Sequence, residues 1–126
     1  MKIRYVVALA AAIGLGLGSV AFQGLHAQAK PPVYVVIEID EIIDIDGYKA
    51  LLKMAPSTVV EVKDADGRYL ARTENITALD GAAPKHFIMI AFDNIEKAKA
   101  FSDKTKETAA MRMKTTKSRS FIVQGT

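Results

Sequence analysis

Two side chains in this sequence could transfer protons, and both fall in predicted strands. His86 stands just before an apolar run at residues 87–92, and a histidine exchanges its proton near neutral pH. Glu38 lies in the middle of an alternating segment, where a carboxylate could act as a general base. Each has a plainer interpretation. His86 would then be a rim residue at a strand start, and Glu38 would form a salt bridge to Arg68 or Arg72.

Two arginines four positions apart are the candidates for holding an anion. Arg68 and Arg72 would share one face of a single strand, because side chains alternate along a strand. Paired guanidinium donors bind anionic groups well. The alternative is ion pairing at a dimer interface. Tyr34 in the first predicted strand could line the same pocket, although aromatic residues in a small domain usually belong to the core or an interface.

Composition excludes several other kinds of site. The chain contains no cysteine, which removes disulfides, thiolate metal sites and cysteine nucleophiles. His26 falls in the leader described next, so one chain cannot supply a multi-histidine metal site, and no glycine-rich phosphate loop is present. We therefore expect no metal and no cofactor. Acidic and basic residues alternate after residue 29 without a basic stripe, so we expect no nucleic-acid partner.

Residues 1–29 have the pattern of a cleavable signal peptide. Lys2 and Arg4 precede an apolar stretch at residues 6–22, and Ala27-Gln28-Ala29 supplies the small residues that a signal peptidase recognises. Cleavage after Ala29 removes two basic residues and lowers the formal net charge from +3 to +1. The alternatives are cleavage after Ala27 and retention of the apolar stretch as a membrane anchor. We expect cleavage, membrane contact only during export, and a periplasmic or secreted product.

Residues 30–126 predict one small α+β domain. Alternation over residues 33–40 predicts the first strand. Asp44 is a suitable N-cap for a first helix, and Pro56 fits the first turn of a second helical segment. Strands are predicted over 67–72 and 76–79, which could be one bent strand, then over 87–92 as a central strand and over 120–124.

The second helical region is predicted to begin at an N-cap supplied by Asp93 or Asn94. Residues at helical spacing predict its inner stripe, which consists of Ile95, Ala98, Phe101, Thr105, Ala109 and Met113. The order of elements is strand, helix, strand, strand, helix, strand. This is the β-α-β-β-α-β pattern of ferredoxin-like domains.

Short motifs spread over this domain give a family resemblance. They are Tyr34-Val35-Val36-Ile37-Glu38, Asp46-Gly47-Tyr48, Gly67-Arg68-Tyr69-Leu70-Ala71-Arg72, Leu79-Asp80-Gly81, Pro84-Lys85-His86, Ala91-Phe92 with Ile95-Glu96-Lys97-Ala98, and Phe121-Ile122-Val123-Gln124-Gly125. In these motifs the chain resembles the domain of unknown function 1330 family, which has no well-established activity. The resemblance implies a ferredoxin-like domain of the dimeric α/β-barrel type, and hence a homodimer whose two sheets enclose a cavity.

We expect an exported domain of uncharacterised function that binds a small molecule or acts as a cofactor-free enzyme. Its pocket would lie between sheet and helices or inside the dimer barrel. There Glu38 or His86 would move protons, while Tyr34, Arg68 and Arg72 would hold the ligand. The alternative is a non-catalytic domain whose sheet pairs with itself or with another protein. The sequence leaves open whether any reaction is catalysed.

Overall fold

The computed structural model describes residues 30–126. Their elements are β1 (Val33–Ile42), α1 (Ile45–Leu52), α2 (Ala55–Asp64), β2 (Arg68–Thr73), β3 (His86–Phe92), α3 (Ile95–Lys104), α4 (Lys106–Thr115) and β4 (Thr116–Gln124). The strands form one antiparallel sheet in the order β2-β3-β1-β4. This is the predicted ferredoxin-like arrangement, with each connecting helix divided into two. The expected signal peptide lies outside the described residues. Within them, no helix is long and apolar enough to cross a membrane.

The alternation of β1 separates the two faces of the sheet. Every second residue of this strand packs against the helices and joins the hydrophobic core, which consists of Val33, Val35, Ile37, Ile39, Tyr48, Leu51, Val62, Ile90, Phe92, Ala98 and Phe101. We call this side of the sheet the inner face. The residues between them, Tyr34, Val36 and Glu38, lie on the opposite side, which we call the distal face.

Side-chain caps determine where two of the helices begin. The Asp44 carboxylate accepts a hydrogen bond from the Gly47 amide at 3.1 Å, at the start of α1. The Asn94 side chain accepts one from the Lys97 amide at 2.9 Å, at the start of α3. Each bond satisfies an amide that has no partner within its own helix. Asn94, rather than Asp93, is therefore the N-cap of the second helical region.

The predicted strand at residues 76–79 is wrong. The chain turns away at the end of β2, where the Thr73 hydroxyl accepts a hydrogen bond from the Asn75 amide at 2.9 Å and the Ile76 amide donates to the Glu74 carbonyl at 3.1 Å. Short bonds of this kind compete with strand pairing. No regular element follows until β3, and Leu79 is 95% exposed.

The predicted inner stripe of the second helical region holds at its start and fails at its end. Ala98 and Phe101 are buried, whereas Met113 is 59% exposed. Phe101 lies in α3, whereas Met113 lies in α4, which begins after the break at Thr105. The spacing predicted for one continuous helix therefore does not carry through to its end.

Candidate functional site

The two arginines of β2 lie on opposite faces of the sheet. Arg68 is paired with Ala91, whereas Arg72 is paired with Ile88. These two partners are three positions apart in β3 and therefore point to opposite sides. The register shifts at a β-bulge around Leu70, and one extra residue inverts the alternation beyond it. The prediction that the two arginines share a face is wrong.

Glu38 lies on the distal face and is held by an arginine that sequence reasoning did not single out. Its carboxylate lies 2.7 Å from one terminal nitrogen of Arg119, and the other terminal nitrogen lies 2.6 Å from the Asp40 carboxylate. The hydrogen bond to Asp40 and the charges of both carboxylates raise the pKa of Arg119. The alternative salt bridge for Glu38 thus exists, but its partner is in β4 rather than β2.

His86 lies on the inner face, paired with Ile39 of β1. Its ring centroid is 5.9 Å from that of Tyr48, and its Nδ1 is 3.9 Å from an oxygen of the exposed Glu74 carboxylate. Because Glu38 is next to Ile39 in the strand, it points to the other side. The two predicted proton-transfer residues therefore do not meet within one chain.

The remaining predicted residue, Tyr34, lies on the distal face close to Arg68. Both are paired with Ala91 in the register of the sheet, one from β1 and one from β2. The five predicted site residues therefore divide into two groups. Tyr34, Glu38 and Arg68 lie on the distal face, and Arg72 and His86 lie on the inner face.

A cavity of about 190 Å³ lies between the inner face and the helices. Most of its wall is aliphatic or aromatic, and this part consists of Val35, Ile37, Ile39, Leu51, Leu52, Ala55, Ile88, Ile90, Phe101 and Ala109. Hydroxyl groups supply most of the polar wall, from Tyr48, Thr58, Tyr69, Ser102, Thr105, Thr108 and Ser120. Two arginines, Arg72 and Arg112, complete the polar part, and no lining residue in the described part of the chain is acidic.

Arg112 brings a positive charge to this largely apolar wall. Its Nε is the buried side-chain polar atom that has no hydrogen-bond partner within residues 30–126. Burial lowers the pKa of Arg112, but a guanidinium still keeps its proton at any physiological pH. Sequence reasoning missed this residue. It lies in α4, beyond the break at Thr105, so the helical spacing of the buried residues in α3 does not point to it.

Arg72 takes a different position at the edge of the cavity. Its guanidinium carbon lies 4.4 Å from the centroid of the Tyr69 ring, in a cation–π contact. The side chain is exposed, so its charge reaches solvent as well as the cavity wall. Of the two predicted anion-binding arginines, Arg72 is the one that lines this cavity.

Three threonines lie where the cavity borders a neighbouring surface groove. Thr58 of α2, Thr105 between α3 and α4, and Thr108 of α4 line both the cavity and this more open groove. We call this shared border, between α2 and the α3–α4 junction, the threonine opening. Elsewhere in residues 30–126, no group of three or more acidic or histidine side chains is placed to hold a metal ion.

A family model for a domain of unknown function, DUF1330, matches residues 32–126. The chain belongs to the DUF1330 family. This DUF1330 chain has no match among curated proteins. A crystal structure of a protein of unknown function from Rhodopseudomonas palustris is similar to it with a TM-score of 0.59 at 12% identity, covering 84% of this chain and 92% of that one. At this identity the likeness shows the fold alone.

Two further solved structures are similar to the DUF1330 chain at lower scores. One is a dimeric ferredoxin-like protein from an uncultured marine organism, with a TM-score of 0.49, 18% identity and coverage of 75% of this chain and 95% of that one. The other is a dimeric protein of unknown function and ferredoxin-like fold from Bacteroides fragilis, with a TM-score of 0.47, 7% identity and coverage of 74% and 95%.

Proposed function

We propose that this DUF1330 domain is a small-molecule binding protein whose ligand occupies the cavity on the inner face. The observation that carries the proposal is the cavity itself, an apolar chamber with a few polar groups and an opening to the surface. Ligand sites in proteins have this composition. A cavity of about 150 Å³ is known to hold benzene, so a volume of about 190 Å³ suits a small apolar body with one polar group.

Binding is better supported than a reaction that uses both predicted proton-transfer residues. Glu38 lies on the distal face, in an ion pair with Arg119, and is not part of the cavity wall. His86 is on the inner face, beside the Tyr48 ring that lines the cavity. His86 itself is not part of the cavity wall, so neither predicted proton-transfer residue lines the proposed ligand site. Tyr34, Glu38 and Arg68 could contribute to a site only where the distal face meets another surface.

Neighbouring alanines in α4 provide a test with a matched control. Ala109 lines the cavity, whereas Ala110 is exposed and does not. Leucine at position 109 would fill part of the chamber, and leucine at position 110 would leave it open. A ligand that binds only the folded protein raises its melting temperature. Indole, hexanol and phenylacetate serve as probes of different polarity.

At least one probe should raise the melting temperature of the unmodified protein and of Ala110→Leu, and this shift should be lost in Ala109→Leu. The proposal is overturned if none of the three probes changes the melting temperature. It is also overturned if Ala109→Leu, folded by circular dichroism, responds as the unmodified protein does.

We also propose that the domain acts outside the cytoplasm, in the periplasm or after secretion. The support comes from residues 1–29, with their basic start, apolar stretch and Ala27-Gln28-Ala29, and from a family match that begins only at residue 32. Expression in a bacterium followed by intact-mass measurement should find a product that begins at Lys30 or Gln28. An uncleaved chain retained in the membrane fraction would contradict export with cleavage.

A second candidate function, self-association, is favoured by the side chains of the distal face. Phe121 and Val123 of β4 are paired with Val36 and Tyr34 of β1, and are therefore on this face. They are 43% and 41% exposed. We propose that a second copy covers them and forms the homodimer that the family resemblance implies. This pairing and ligand binding use opposite faces of the sheet, so both functions can coexist.

A further inference from the structure

We propose that the ligand of the cavity is a monoanionic amphiphile of the carboxylic-acid class, with an apolar body about the size of a benzene ring. This inference rests on the proposed binding function and adds the chemical class of the ligand. Three features of the cavity carry it: the charge of its wall, the unpaired Nε of its half-buried arginine, and its size.

The charged residues that line the cavity are all positive. Arg72 and Arg112 line the cavity, and no lining residue of the described chain is a carboxylate. Within the same residues, the arginine ion pairs all belong to Arg119 on the distal face, which is held by Glu38 and Asp40. The two arginines of the cavity therefore remain available to bind an anion, whereas Arg119 on the distal face is already paired with carboxylates.

The half-buried guanidinium of Arg112, whose Nε is shielded from solvent, favours an anion as its partner. A charge removed from water is costly unless an opposite charge or hydrogen bonds compensate it. Arg112 cannot avoid that cost by losing its proton, and its Nε has no hydrogen-bond acceptor among the described residues. A carboxylate matches the planar fork of a guanidinium and would supply both the charge and the acceptor. A cationic ligand would be repelled from the same position.

The remaining wall selects the rest of the ligand. Aliphatic and aromatic side chains of β1, β3 and α1 enclose most of the volume, which is about 190 Å³. Apolar groups are stabilised there by leaving water, while phosphate or another anion without an apolar part would leave this wall uncovered. Arg72 lies at the edge, stacked on Tyr69, where a guanidinium can attract an anion as it enters.

Three probes that share one ring and differ in charge test the inference: phenylacetate, 2-phenylacetamide and 2-phenylethylamine. Their affinities are measured by calorimetry on the purified protein at neutral pH. We expect phenylacetate to bind about tenfold or more tightly than the amide, since hydrogen bonds to charged groups are the stronger ones. We expect the amine to bind more weakly than the amide.

Variants of two arginines locate the effect. Arg112→Met should weaken phenylacetate binding about tenfold or more and leave the affinity of the amide unchanged. Arg112→Lys keeps the charge without the planar fork and should retain part of the preference for phenylacetate over the amide. It provides the test if Arg112→Met does not fold. Arg68→Gln is the matched control, because Arg68 is in the same strand as Arg72 but outside the cavity, and it should change neither affinity.

Three results would overturn the inference in distinguishable ways. Equal affinities of acid and amide, unaffected by Arg112→Met, would leave the cavity as a binding site and reject the carboxylic-acid class. Failure of all three probes, together with no response to indole or hexanol, would reject the binding function as well. A preference for the acid that Arg68→Gln abolishes would place the anion site on the distal face instead.

Discussion

Arg112 and Arg119 show how local surroundings decide what one residue type can do. Arg119 lies between two carboxylates on an exposed surface, so its charge is already compensated. Arg112 lies in an apolar wall, where burial lowers its pKa and its Nε has no partner among the described residues. The helical period does not identify Arg112 from the sequence, because the break at Thr105 separates it from the buried residues of α3. Its lack of an acidic neighbour depends on residues distant in the chain and could not be predicted.

Arg68 and Arg72 mark the limit of prediction at the residue scale. Four positions along a regular strand bring two side chains to one face. The bulge around Leu70 moves Arg72 to the inner face instead. Bulges carry no reliable sequence signal in a segment such as Gly67-Arg68-Tyr69-Leu70, since the extra residue is fixed by pairing with β3 rather than by local preference.

Tyr48 makes the stability of the protein depend on pH in the alkaline range. Burial, and then the charge of Glu74, raise the pKa of this phenol above its ordinary value of 10.0. Between the unfolded and the folded pKa, the folded state binds more protons than the unfolded state, so the free energy of unfolding falls as pH rises through this window. Tyr48→Phe removes the titrating group and should reduce this fall. Urea unfolding at pH 8 and pH 10.5 measures it, and equal pH dependence in both proteins would contradict the prediction.

At the scale of elements, both helical connections, from β1 to β2 and from β3 to β4, are pairs of short helices rather than one long helix. Pro56 opens α2 in its first turn, as the sequence predicts. The second break lies at Thr105, whose hydroxyl and amide both donate to the Phe101 carbonyl, at 2.9 and 3.1 Å. A threonine that bonds back to the preceding turn is not distinctive in a sequence. The break therefore went unpredicted, and it forms one side of the threonine opening.

The N-cap of α3 can be tested by comparing two adjacent residues. Asn94→Ala should lower the free energy of unfolding by about 1 kcal/mol, because the Lys97 amide loses its acceptor. Asp93 contacts the Lys97 ammonium at 3.4 Å on an exposed surface, so Asp93→Ala should cost about 0.5 kcal/mol or less. Chemical denaturation of both variants measures the difference. A larger loss of stability in Asp93→Ala than in Asn94→Ala would contradict the assignment of Asn94 as the N-cap.

At the scale of the whole molecule, the sheet separates two kinds of contact. Its inner face holds the core and the cavity, and its distal face carries the apolar side chains proposed to meet a second copy. Element order, the central position of β3 and the ferredoxin-like topology follow from periodicity and from the family motifs. The location of the cavity does not, because it depends on how four helices pack over the sheet.

Self-association through the distal face predicts a different response from two adjacent positions of β4. Val123 lies on the distal face, and Gln124 is paired with Val33 on the inner side. In a symmetric pair, Val123→Lys would bury a charge in the contact from each copy and should yield single chains. Gln124→Lys should leave the assembly intact. Light scattering after gel filtration gives the mass, and a wild-type protein with the mass of one chain at high concentration would contradict the proposal.

The threonine opening lies among the helices, on the side of the sheet away from the distal face. In the proposed dimer, a ligand would therefore enter and leave at the threonine opening while the two copies stay paired through their distal faces. The bound fraction should then follow a hyperbolic, non-cooperative isotherm with one ligand per chain. Its half-saturation point should not shift when the protein is diluted far enough for the pair to come apart.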